Sequence, residues 1–85
     1  MHAVVASVTP RDRDAAARSL KEVVPRVSEA RGFVAGYWLS MPDGTGLSVM
    51  VFDSQDAART VAELIGPGES VTFDSIEVAE VAASA

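Results

Sequence analysis

The sequence predicts an α+β fold with the element order β-α-β-β-α-β, on three observations. The stretch Gly32 to Phe52, GFVAGYWLSMPDGTGLSVMVF, reads as two apolar strands joined by a Pro-Asp-Gly turn. On either side of it, apolar residues recur at the three- and four-residue spacing of an amphipathic helix. The outermost segments, His2 to Val8 and Val71 to Ala82, are again rich in β-formers. At 85 residues the chain has room for one domain, 1–85, near the lower end of what folds without staples.

Each element has its own signal. HAVVASV is apolar enough for a central strand. Thr9-Pro10-Arg11-Asp12 follows as a helix start, with Thr9 as N-cap and Pro10 at the first helical position. Ala16, Leu20, Val23, Val27 and Ala30 make one stripe of that helix, which Pro25 should kink or split. Arg31-Gly32 ends it, with Gly32 as left-handed cap. In the hairpin, Pro42 presets φ, Asp43 bonds locally, Gly44 and Gly46 accept positive φ, and Gly36 marks a bulge or a close approach. Asp53-Ser54-Gln55-Asp56 caps a second helix with Ala58, Val61, Ala62 and Ile65 as its buried stripe. Gly66-Pro67-Gly68 stops it. Asp74, Glu77 and Glu80 then interrupt the apolar run of the last strand, of which Val71 to Phe73 reads as a separate stub.

This order is satisfied by a four-stranded antiparallel sheet, spatial order 4-1-3-2, with both helices on one face: a ferredoxin-like fold. The strands are apolar at nearly every position, so the face without helices also calls for cover, and a second copy of the chain would supply it. Homodimerisation is therefore expected. Zero cysteines remove disulfides and thiolate chemistry, and a single His makes a protein metal site implausible. No metal and no cofactor are expected. A net charge of −5 argues against nucleic acid and anionic membranes. Neither an apolar span nor a signal peptide is legible, so a cytoplasmic location is expected.

The helix bearing Pro25, the Arg31-Gly32-Phe33 junction, Gly36-Tyr37-Trp38, and the Phe52-Asp53-Ser54 step followed by Ala57-Ala58 carry a resemblance. Over roughly Met1 to Val81 the pattern resembles the dimeric α/β-barrel superfamily, above all its antibiotic-biosynthesis-monooxygenase-like (ABM-like) branch. The resemblance implies a dimeric α/β barrel. It also implies a range of activities, from cofactor-free oxygenases of quinols and anthrones to haem-degrading enzymes and lactone isomerases. Haem-degrading members use an Asn-Trp-His set; this chain has no Asn, and its one His is the second residue.

The candidate site residues each admit two readings. Trp38 either orients a planar aromatic molecule in an apolar cavity or packs in the core or an interface. Tyr37, Met50 and Phe52 join it as candidate pocket residues. His2, the only imidazole, is the candidate catalytic group for moving a proton, beside Trp38; the plain alternative is a sheet end. Asp53, Asp74, Glu77 and Glu80 read as caps and solvated strand ends, or as a pocket base. Two functions follow. One is a homodimeric protein of undefined activity that binds a small hydrophobic or aromatic molecule in an apolar cavity. The other is a cofactor-independent monooxygenase of an aromatic polyketide or quinol.

Overall fold

Antiparallel pairing of the first and third strands builds the centre of the sheet. In the computed structural model, which describes residues 1–65 and 71–85, β1 (His2–Pro10) lies between β3 (Gly46–Phe52) and β4 (Val71–Glu80). β2 (Phe33–Ser40) pairs with the far side of β3, giving the order β2-β3-β1-β4. Read from the other edge, this is the predicted 4-1-3-2. Helices α1 (Arg13–Ser28) and α2 (Gln55–Leu64) pack on one face, α1 chiefly on β2 and α2 on β1, β3 and β4.

The sheet is open. β2 and β4 are its two edges and do not pair, so the expected dimeric α/β barrel is overturned, and with it the ABM-like resemblance that implied it. Within the described residues the order runs from β2 at one edge to β4 at the other with no pairing between them, and closure would require that pairing. What stands is the ferredoxin-like βαββαβ topology with two helices on one face.

Cross-strand register decides what each face carries. Val4 lies opposite Met50 and Val78, and Met50 opposite Gly36, so this row faces the helices. Val4, Met50 and Phe52 are the largest fully buried side chains, packed with Val27 of α1 and Ala58 and Val61 of α2. Phe33 meets Phe52 edge-to-face, ring centroids 5.9 Å apart, a favourable aromatic geometry. The neighbouring row of Tyr37, Val49, Val5 and Glu77 lies on the helix-free face, since alternate residues point oppositely. There Tyr37 is 61% exposed and Leu39, one row along, 45%. The register shifts once between Phe33 and Ala35 on β2, and once between Ser7 and Val8 where β1 meets β4.

Helix ends differ from the sequence reading in detail. β1 runs on through Pro10, and Asp12 replaces Thr9 as the cap of α1, its carboxylate accepting from Asp14 N–H at 2.9 Å and Ala15 N–H at 3.2 Å. Thr9 instead donates to Asp74 across the sheet at 2.7 Å. The helix is a single element through Pro25, which removes one N–H from the ladder three residues before the helix ends. It ends at Ser28, and Gly32 acts further on: at φ +83° it turns the chain into β2, and its carbonyl accepts from Asp53 N–H at 2.8 Å. Ser54, not Asp53, caps α2 by accepting from Ala57 N–H at 3.1 Å. Gly66-Pro67-Gly68 lies outside the described residues. β4 is continuous from Val71, with no separate stub.

The hairpin turn uses the residues expected of it, except that Gly46 opens β3 without the positive φ expected there. Gly44 N–H donates to Met41 O at 3.0 Å, Pro42 sits second in the turn, and Gly44 takes φ +89°. The Asp43 carboxylate accepts from Thr45 Oγ1–H at 2.5 Å and from Thr45 N–H at 2.9 Å. These two bonds, the side-chain one first, favour the ionised form and hold Asp43 below its ordinary pKa. A lowered folded-state pKa contributes stability above the ordinary aspartate range, and that contribution fades as pH falls through the lowered value. We expect Thr45→Val to move the Asp43 carboxyl titration upward in carbon-detected NMR. The stability gap between wild type and variant should narrow as the solution is acidified through that range. An unmoved titration would show that Thr45 is not its cause.

Candidate functional site

The sheet has a low point on its helix-bearing side. Along one row, Trp38 of β2, Ser48 of β3, Ala6 of β1 and Ile76 of β4 lie side by side. The two central strands contribute small side chains here, Ser48 and Ala6, so the helices above cannot close onto the floor. α1 stands over the β2 side and α2 over the other three strands, leaving a cleft of about 490 Å³ between them. Met50, Trp38 and Phe73 border the floor. Val23, Arg26 and Val27 of α1 and Val61 and Leu64 of α2 form the walls.

The same gap explains a departure in α1. Of the stripe Ala16, Leu20, Val23, Val27 and Ala30, only Val27 is buried; Leu20 is 38% and Val23 41% exposed. Their side chains have no tall floor residue to meet. A smaller cleft of about 240 Å³ lies under the first half of α1, lined by Arg13, Ala16, Leu20 and Leu47, and it shares Trp38 and Ser48 with the larger one.

Trp38 owes its position to Gly36. The two are alternate residues on one strand and so share a face. The indole folds back along β2 until a Cβ on Gly36 would sit 2.8 Å from Trp38 Cη2 and 2.9 Å from Cζ3. The close approach that the isolated glycine signals in the sequence is made by this ring.

The predicted site residues are divided by the sheet. Trp38 and Met50 line the larger cleft. Phe52 is fully buried in the core beside it, and Tyr37 lies on the opposite, helix-free face. His2 opens β1, paired with Phe52 and Glu80, four residues from Ala6 and hence about 13 Å along the strand from the cleft floor. It is half-buried, and its Nδ1 has no hydrogen-bond partner among the described residues. The structure thus brings Trp38 and Met50 together and leaves His2 apart from both. Asp53 is exposed, Asp74 is engaged by Thr9, Glu77 is on the other face, and Glu80 ends β4.

Four wall and floor residues were not singled out from the sequence: Ser48, Ala6, Arg26 and Leu64. Ser48 and Ala6 carried a faint signal, being small residues within apolar strands, but only the register sets them side by side. Among the described residues Arg26 is the only titratable lining group of the larger cleft, and no group of three potential metal ligands occurs. No helix among them is long and apolar enough to cross a membrane. No family model and no curated protein matches the chain. Chemically, the described residues offer here an apolar volume, one indole, one hydroxyl and one cation.

Replacing Gly36 by Ala should force the Trp38 ring off the strand. We expect a red shift and altered intensity in tryptophan emission, which reports one residue because Trp38 is the only Trp. An unchanged spectrum would mean that the ring does not rest on Gly36 in solution.

Proposed function

We propose that this protein is a binding module that takes a small hydrophobic or aromatic molecule in the larger cleft. The observation that carries the reading is the cleft itself: about 490 Å³, walled by aliphatic side chains of both helices, with Trp38 at its border. That volume lies within the range of small-molecule sites, and a predominantly apolar lining with few polar groups is their usual composition. The oxygenase alternative gains nothing from this geometry, because the chain's one imidazole, His2, lies about 13 Å along β1 from the floor.

A second reading, pairing of two copies, is supported by the helix-free face. Ala35, Val51, Ala3 and Ala79 form one apolar row across it, and Tyr37 and Leu39 stand exposed nearby. Four strands at their usual spacing and this length present roughly 500 Å² per copy, so two stacked open sheets would bury about 1,000 Å², the lower bound for a specific interface. Such a dimer is expected to be weak.

N-phenyl-1-naphthylamine, a neutral probe that brightens in apolar surroundings, tests the cleft. Wild type should enhance its emission saturably. Ala6→Leu, which raises the floor, should weaken binding at least about tenfold if the filled volume removes most of the probe's apolar contact, while the circular dichroism stays folded. No enhancement with wild type would sink the reading. Sedimentation equilibrium tests the pairing: a concentration-dependent dimer should become a monomer in Leu39→Lys, and a wild-type monomer at millimolar concentration would exclude it.

A further inference from the structure

We propose that the occupant of the larger cleft is an amphipathic monoanion, an aryl or short alkyl carboxylate, with its apolar body against Trp38 and Met50 and its carboxylate on Arg26. This rests on the cleft being a ligand site, and adds to it the sign of the ligand's charge. The lining side chains are apolar except Arg26, Ser48 and the amphipathic Trp38. Arg26 projects from the last turn of α1 beside the cleft. Glu22 and Glu29 stand four residues before it and three after, the spacing of helical ion pairs, yet no carboxylate among the described residues is within ion-pair distance. In a chain of net charge −5, an arginine without a carboxylate partner among the described residues, on the wall of an apolar cleft, is a local reversal of sign. The planar guanidinium holds a carboxylate through two parallel hydrogen bonds, a geometry a lysine cannot reproduce.

Ser48 supplies the second, independent observation. It is only 9% exposed, it lies on the cleft floor, and its hydroxyl forms no hydrogen bond among the described residues. His2 Nδ1 is the only fully buried unpaired polar side-chain atom among the described residues, so the Ser48 hydroxyl is open to the cleft, where a polar atom on the occupant can pair with it. The pattern is then an apolar body with an anionic end and a further hydrogen-bonding atom. A basic residue in the last turn also suits the helix dipole with or without a ligand, so charge preference, not the mere presence of Arg26, is the quantity to measure.

The experiment compares three probes of nearly one shape: 2-naphthoate, 2-naphthylmethanol and 2-naphthylmethylamine. Each is titrated into the full chain while the single indole N–H resonance of Trp38 is followed by NMR. The expected result is naphthoate binding roughly fivefold to tenfold tighter than the alcohol, the modest value reflecting an exposed arginine, with the amine weakest. Arg26→Gln should erase the acid's advantage and leave the alcohol unchanged; Arg26→Lys should retain part of it. Equal binding of acid and alcohol by wild type, or an advantage that survives Arg26→Gln, overturns the charge assignment and leaves the cleft as a neutral site. No shift of the Trp38 resonance with any of the three overturns the cleft reading and this inference together.

Discussion

The register between β1 and β3 is the constraint on which everything else in this molecule depends. Placing Val4 opposite Met50 sends both into the helix-covered core, where neither is accessible to more than a trace of solvent. A slip of one residue would exchange that row with Val5 and Val49 and turn the core face outward, because side chains alternate with a period of two. The same register sets Ala6 beside Ser48, and so digs the cleft. Core and candidate site are two rows of one pairing.

That dependence explains how much was legible in advance. Element order, sheet order and the helix-bearing face follow from hydrophobic period and turn chemistry, which are local. The Met41–Gly44 turn and the Ser54-Gln55-Asp56 helix start could be read because capping and turn residues act on their immediate neighbours. Thr9 misled because Asp12 offers a stronger N-cap three residues later, and β1 gains further pairs with β4 by continuing to Pro10. Closure into a barrel was inferred from likeness, and the sheet of the described residues is open, with β2 and β4 as unpaired edges. The cleft was invisible for a different reason. It arises from what two strands lack at one shared row, and a missing volume leaves no motif.

The site that results is simple. Apolar burial can hold a ligand there with little geometric precision, since the hydrophobic effect is non-directional and scales with area. Orientation must come from the few polar atoms, and these sit at separate points: Ser48 on the floor, Arg26 on the wall, Trp38 at the border between the two clefts. Such a layout suits retention and selection of a molecule. Trp38 stands where both clefts meet, so any movement of its ring alters the two volumes together.

The open sheet edges carry one more consequence, concerning how this chain behaves among many copies of itself. An unpaired edge strand is a template for another strand, and a small protein with two of them risks growing end to end. Here β2 carries a register shift beside Phe33, which bends the strand and disturbs its hydrogen-bonding line. β4 carries Asp74, Glu77 and Glu80, so two such edges brought together would oppose like charges. Edge-to-edge growth is thereby discouraged on both sides. Exposed apolar side chains lie instead on the two faces, Tyr37 and Leu39 on the helix-free side and Leu20, Val23 and Leu64 on the helices, away from the hydrogen-bonding edges along which a fibre would grow.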